Sequence, residues 1–153
     1  MFGILKKKKV EEKQTIDISK EDMFVCWLEK GIKALGASTG YGFNLYEGDD
    51  YFWVDFCKAK YDADDEDWFA KNANEFFSSQ PAESFFMKAT GQEDEWQDAL
   101  VRFAKILKTA HDKSVAFAKL SKEAKIVFGH HDGDLYTLEE ALTNKITKKY
   151  VGF

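Results

Sequence analysis

The sequence predicts an α+β fold, with antiparallel strands or hairpins packed by four or five helices in a single domain. Three observations lead to this prediction: stretches with apolar residues at helical spacing, two stretches that alternate around a glycine-containing turn, and a length of 153 residues. A single proline argues against a linker to a second domain. We therefore expect a flexible, basic N-terminal tail at residues 1–15 and one α+β domain at residues 16–153.

The first helix is predicted in residues 17–37. Ser19 can cap its first turn, and Gly36 is placed to end it. The apolar residues between them recur at helical spacing, which predicts one buried stripe. The stripe consists of Phe24, Trp27, Leu28, Ile32 and Leu35.

A hairpin is predicted in residues 41–57, where apolar residues alternate on both sides of the turn sequence "EGDD". Gly48 is expected to supply a positive φ in that turn. The alternation assigns one set of residues to the core, and the opposite face receives the rings described below together with Cys57. That position makes Cys57 the more accessible of the two thiols. The predicted core set consists of Phe43, Leu45, Phe52, Val54 and Phe56.

The middle of the chain predicts further helices. In residues 62–79, Asp64 and Asp67 form a capping-box-like start to an amphipathic helix. Residues 79–90 fit a short helix, a strand or a loop. Thr90 and Glu93 then predict a second capping box before a helix that runs to about residue 110.

The end of the chain predicts a helix, a hairpin and a last helix. Residues 112–124 favour helix, and the sequence Asp132-Gly133 between alternating apolar residues predicts a tight turn in which glycine adopts positive φ. Thr137 and Glu140 form a third capping box ahead of the C-terminal helix.

The sequence "HHDGD" invites a metal-site interpretation, but the turn interpretation is stronger. Adjacent residues of a strand point to opposite faces, so His130 and His131 cannot grip one ion together. The acidic run beginning at Asp62 fails as a calcium loop, because Asp67 stands where glycine is needed and Ala73 where glutamate is needed. We expect no catalytic motif, no tightly bound metal and no cofactor.

Charge and cysteine content limit the partners and the compartment. Residues 1–13 carry five lysines and two glutamates, and removing this +3 from the net charge of −5 leaves −8 on the remaining body. Such a body repels nucleic acid and anionic membranes. No run is long and apolar enough to span a membrane, the start lacks a secretory pattern, and two cysteines form no disulfide framework. We expect a cytoplasmic protein.

The first hairpin carries the strongest functional signal. Residues 41–56 hold seven aromatic residues, and residues 47–67 hold nine acids against two lysines. Aromatic anchors within a ring of negative charge are typical of a surface that binds a basic protein. The competing interpretation is that helices cover both sheet faces and the rings are core. The predicted contact surface consists of Tyr46, Asp49, Asp50, Tyr51, Trp53 and Asp55.

These observations predict a small cytosolic protein-binding module rather than an enzyme. An inhibitor or immunity-type protein that blocks a basic toxin or nuclease would suit the charge, the size and the lack of motifs. The alternative is an enzyme or small-ligand-binding protein whose site forms only in the fold, around Asp55, Cys57, His130 and His131. A cleft between the hairpins would favour that alternative, and a convex aromatic patch would favour protein binding. The oligomeric state is not readable from the sequence.

Overall fold

The computed structural model describes residues 15–17, 21–48, 50–78, 84–88, 91 and 93–147. Within them the chain forms seven strands and five helices, which confirms the α+β prediction. The strands are β1 Thr15–Asp17, β2 Gly40–Glu47, β3 Tyr51–Ala59, β4 Ala73–Ser78, β5 Ser84–Lys88, β6 Lys125–His130 and β7 Leu135–Thr137. The helices are α1 Glu21–Leu35, α2 Trp68–Asn72, α3 Glu95–Lys113, α4 Val115–Glu123 and α5 Leu138–Leu142.

All seven strands belong to one mixed sheet with the order β1-β5-β3-β2-β6-β7. Strand β4 pairs with β3 along the same edge as β5, each covering a different part of β3. Both predicted hairpins are present, β2–β3 and β6–β7. The prediction of antiparallel strands is only partly correct, because two pairs in the sheet are parallel: β1 with β5, and β2 with β6.

The inner face of the sheet carries the main core. The predicted core set of the first hairpin is buried there in full, and so is most of the stripe of α1. Phe43 of β2 packs against Phe103 of α3 and Phe117 of α4, with ring centroids 5.6 and 6.3 Å apart. Trp27 of α1 lies 6.4 Å from Phe56 of β3. Aromatic rings therefore fix the helices on this face.

The outer face is covered at one end by the short helix α2. Trp68 and Phe69 of α2 form a second buried cluster with Cys57, Ala59 and Val127 of the sheet. They fit because β2 has glycine beneath them: a Cβ at Gly40 would meet the Trp68 ring at 2.5 Å, and one at Gly42 would overlap the Phe69 ring. The outer face is therefore a second, smaller core at this end of the sheet.

The prediction of one helix across residues 62–79 is wrong for residues 73–78, which form a strand. Helix α2 is five residues long and is followed directly by strand β4. Phe76 and Phe77 alternate between the two faces: Phe76 is 51% exposed, and Phe77 packs 5.3 Å from Trp27 in the core. Glu75 adopts φ 48° and is the extra residue of β4 at the register shift opposite Cys57 and Lys58 of β3. Pairing with the edge of β3 thus outweighs the local helix pattern.

Two of the predicted helix starts are also wrong. The N-cap of α2 is Asp67, which makes no side-chain cap, and the carboxylates of Asp62 and Asp65 instead accept hydrogen bonds from backbone N–H groups two residues on. Helix α3 begins at Glu95 after Asp94, so Glu93 is not its third residue. The predicted partner of Glu93, Thr90, lies outside the described residues, as does Ser19.

The remaining helix predictions hold better. The capping box of Thr137 and Glu140 is confirmed, with both reciprocal bonds present. Residues 112–124 contain α4, which Ser114 caps by accepting a hydrogen bond from the N–H of Phe117. Gly36 follows α1 with φ +73°, as expected of a glycine that ends a helix. The tail predicted for residues 1–15 lies outside the described residues, except that Thr15 begins β1.

Positive φ was wrongly predicted at two turn glycines. Neither Gly48 nor Gly133 adopts it; among the described glycines only Gly36 and Gly91 do. In the second hairpin the N–H of Gly133 donates to the carbonyl of His130 across a longer loop, residues 131–134. Position 48 needs glycine because a larger residue would not fit: a Cβ there would lie 2.6 Å from the ring of Trp53.

None of the helices within the described ranges is long and apolar enough to cross a membrane.

Candidate functional site

Three aromatic rings form a row across the end of the outer sheet face that no helix of the described residues covers. Tyr46 of β2 is paired with Trp53 of β3, and their rings stack at 6.1 Å. On the other side of Tyr46, the ring of His131 stacks at 4.7 Å. His131 is held by its backbone N–H, which donates to the carbonyl of Leu45 at 2.8 Å. We call Trp53, Tyr46 and His131 the aromatic row.

The aromatic row lies at the surface. Tyr46 and Trp53 are half-buried, His131 is exposed, and Tyr51, two residues before Trp53, is 43% exposed. Helix α2 covers the other end of this face, where the sheet residues are glycine, alanine and cysteine. The alternation therefore assigned these rings to the correct face. Trp53 is half-buried and is not part of the core.

The predicted acids occupy different positions relative to these rings. Asp55 lies on the outer face next to Asn44 across the β2–β3 pair, and Asp50 is exposed in the turn that precedes Tyr51. Asp49 lies outside the described residues. The structure therefore brings Tyr46, Trp53 and Asp55 together at one surface.

A cavity of about 270 Å³ opens beside the aromatic row, between α2 and the β6–β7 hairpin. Asn44 of the sheet, which is almost fully buried, forms its floor, and Tyr46 and His131 of the aromatic row also line it. The remaining walls are apolar. They are formed by Phe69, Ala70, Ala73, Phe76, Gly133 and Leu135.

The polar groups at this cavity are linked to one another. Burial raises the pKa of the Tyr46 hydroxyl, and the negative charge of Asp55, to which the hydroxyl donates a hydrogen bond, raises it further. A hydrogen bond from Asn44 acts in the opposite direction on the same pKa. The hydroxyl of Tyr46 is therefore a fixed, neutral hydrogen-bonding group at neutral pH.

Carboxylates dominate the charge around the cavity. Asp132 and Asp134, both exposed, flank the lining residue Gly133 at the hairpin turn. Lys71 follows the lining residue Ala70 in the chain, but its ammonium group is paired with Asp65 at 2.9 Å. The residues next to the lining in the chain therefore carry a net negative formal charge.

The alternative, enzyme-like site comes together only in part: Asp55, Cys57 and His131 share the outer face, where the cavity lies between the two hairpins as that alternative requires, but His130 does not. His130 is 3% exposed on the inner face, where its ring stacks on Trp96 of α3 at 4.0 Å and its Nε2 contacts the Trp96 carbonyl oxygen at 2.8 Å. His131, Asp55 and Cys57 belong to the outer face. Within the described residues, no three His, Cys, Asp or Glu side chains are grouped as a metal ion would require.

The prediction that Cys57 is the more accessible thiol is wrong. Cys57 is 0% exposed beneath the rings of α2, whereas Cys26 of α1 is exposed. Burial, and after it the charge of Asp55, raises the pKa of Cys57 to about 12. A thiol with that pKa is protonated at neutral pH and is a poor nucleophile.

Sequence reasoning missed the cavity, although the chain contains signals for it. The glycines Gly40 and Gly42 alternate with buried rings in β2, a pattern that indicates a close approach to the outer face. Asn44 in the same alternation indicated a polar position on that face. Phe76 was assigned to a helix, so its place in the cavity wall could not be predicted.

No protein-family model, no curated protein and no solved structure matches this chain.

Proposed function

We propose that this chain is a protein-binding module that recognises a basic partner through the outer face of its sheet. More specifically, we propose an inhibitor or immunity-type protein, which blocks a basic protein such as a toxin or nuclease by covering its surface. The aromatic row carries the proposal, because it lies half-exposed at the end of the outer face that α2 leaves open. A strand face turned to water normally carries small polar or charged residues instead.

The stacking of the row favours its use as a binding anchor. Tyr46 is held between Trp53 and His131, so its ring has little rotamer freedom left to lose on association. Large rigid rings contribute contact area at low entropic cost and are enriched among the residues that dominate binding energy. Tyr51 extends this surface beyond the row by a further exposed ring.

Charge supports a basic partner. Asp55 bonds to Tyr46, Asp132 lies 3.8 Å from the His131 ring nitrogen, Asp50 precedes Tyr51 in the chain, and the body of the chain is acidic as a whole. Negative charge around an aromatic centre steers a basic protein during encounter and disfavours acidic competitors. We also propose a reducing, cytoplasmic setting, since Cys26 and Cys57 are unpaired with each other.

The test is capture by the immobilised chain from an extract of its native cell, with three baits compared in parallel. The baits are wild type, Trp53→Ala, and the control Val115→Ala, which removes an 84% exposed apolar side chain from α4. We expect a basic protein that wild type and the control retain and that Trp53→Ala loses. Thermal melts of all three baits confirm that they are folded.

Kinetics with that purified protein then separate the rings from the charges. Trp53→Ala should speed dissociation by about 30-fold, the equivalent of a 2 kcal/mol anchor. Asp50→Asn should slow association and flatten its dependence on salt while leaving dissociation nearly unchanged. Equal retention by Trp53→Ala and Val115→Ala would show that the row is not the binding surface.

A further inference from the structure

Building on the proposed function, we propose that the cavity beside the aromatic row receives one arginine side chain of the basic partner. The cavity joins the row directly, because Tyr46 and His131 belong to both. A partner seated on the row therefore covers the mouth of the cavity. The aromatic row supplies the broad contact, and the cavity selects one residue.

The size of the cavity suits a single long side chain. A cavity on the order of 150 Å³ accommodates a benzene-sized ring in an otherwise packed protein. The present cavity, at about 270 Å³, has room for a planar guanidinium group and part of its aliphatic stem. The apolar walls from α2 and the β6–β7 hairpin suit that stem, since arginine buries its methylene groups along apolar surface.

The chemistry of the lining favours a cation over a neutral group. Asp132 follows the lining residue His131, and its carboxylate lies 3.8 Å from the His131 ring nitrogen; the carboxylate of Asp55, beside the floor residue Asn44, accepts a hydrogen bond from Tyr46. The nearest lysine in α2 is already held by a carboxylate. The cavity therefore offers negative potential and hydrogen-bonding oxygens within an apolar enclosure, where both act more strongly than in water.

The rings distinguish arginine from lysine. The cavity is bounded by Tyr46, His131, Phe69 and Phe76, which present aromatic surface on more than one side. A guanidinium group is planar, weakly hydrated and stacks on aromatic rings while its N–H groups donate in the plane. An ammonium group is a strongly hydrated point charge and loses more on entering such a space.

The experiment uses short blocked peptides and the full chain. Acetyl-Gly-Arg-Gly-amide, its lysine counterpart and its citrulline counterpart are titrated into ¹⁵N-labelled protein, and the backbone amide shifts of Asn44, Phe69 and Gly133 are followed. We expect saturable shifts with the arginine peptide, about threefold weaker affinity for lysine and about tenfold weaker affinity for the neutral citrulline. Equal affinity for lysine overturns the arginine assignment. Equal affinity for citrulline shows a cavity for neutral ligands and overturns it as well.

Two variants tie the response to the cavity. Ala70→Leu places a larger side chain into the space from the exposed side of α2 and should abolish the shifts. Its matched control, Ala116→Leu at an exposed position of α4, should leave them intact. Phe76→Ser, at an exposed wall position, should weaken arginine more than lysine. Shifts that persist in Ala70→Leu place the peptide elsewhere and refute the proposal.

The two proposals can fail separately. If the arginine peptide does not bind at the cavity while Trp53→Ala still abolishes capture of the basic protein, the arginine assignment fails and the proposed function stands. If Trp53→Ala captures that protein as wild type does, the proposed function fails whatever the peptides show.

Discussion

Replacing Gly42 by alanine should destabilise the protein by about 2 kcal/mol, because the outer face has no room for a methyl group there. The added Cβ would lie well under 3.0 Å from the ring of Phe69. That ring is 3% exposed and packs against the sheet and against Trp68, whose ring centroid is 5.8 Å away, so it can yield only towards the cavity that it borders and would lose these contacts. Overpacking of this kind costs about 1–3 kcal/mol, and loss of the whole ring would cost about 3–5 kcal/mol.

The assay is urea unfolding of the variants, followed by circular dichroism, with thermal melts as a second measure. A loss of 2 kcal/mol should lower the melting temperature by about 4–8 °C for a chain of this size. Gly133→Ala is the control, since its Cβ would meet its nearest neighbour at an ordinary 3.4 Å and its φ is not positive. We expect the control to change stability by less than about 0.5 kcal/mol.

A double-mutant cycle with Phe69→Ala tests the cause directly. With the ring removed, the methyl group of Gly42→Ala occupies the vacated space, so its cost should fall to about zero and the coupling energy should approach 2 kcal/mol. Two results would refute the reasoning: Gly42→Ala as stable as Gly133→Ala, or an equal cost of Gly42→Ala with and without the ring.

Three further predictions follow from buried groups and caps. In native protein at pH 8, a thiol reagent should modify Cys26 and spare Cys57, because Cys57 is buried and its pKa is raised to about 12. Cys57 should react only after urea has unfolded the chain, and rapid modification of both thiols in the native protein would contradict its burial. Burial lowers the pKa of His130, so the unfolded chain takes up a proton first as pH falls below about 6.5, and stability should drop from pH 7 towards 5. His130→Gln should flatten that drop in urea unfolding, and an unchanged pH slope would exclude this cause. Thr137→Ala removes the side-chain acceptor of the capping box and leaves the bond from its own backbone N–H to Glu140; it should cost about 1 kcal/mol in the same assay, whereas no loss would mean that α5 needs no side-chain cap.

The parts of the fold that were predicted correctly are those that depend on neighbours in sequence. The alternation of Phe43 and Leu45 with Tyr46 specified both faces of β2, and the spacing of Thr137 and Glu140 specified a cap. Such patterns involve residues within a few positions, so sequence alone contains them. The rings of the candidate site were assigned to the correct face for the same reason.

The parts that were not predicted depend on distant segments. Residues 73–78 have a helical pattern locally, yet they form β4 because the edge of β3 accepts them as a strand. The cavity needs α2, β2 and the β6–β7 hairpin at once, and neither parallel pair has a local signal. The φ of Gly133 likewise depends on a four-residue connection, whereas the Asp-Gly pair had predicted a tight turn with glycine at positive φ.

The parallel pairing of β2 with β6 also bears on how the chain is made and folded. Phe43 pairs with Phe128, so the two partners in the centre of the sheet lie 85 positions apart in the chain. During synthesis, the edge of β2 that pairs with β6 stays unpaired until β6 has left the ribosome. The aromatic residues of β2 have already been synthesised by then and are exposed in the meantime. Closing so long a connection is entropically slow, and the exposed edge can recruit another nascent chain. We therefore expect refolding in the range of milliseconds to seconds, with yields that fall as protein concentration rises.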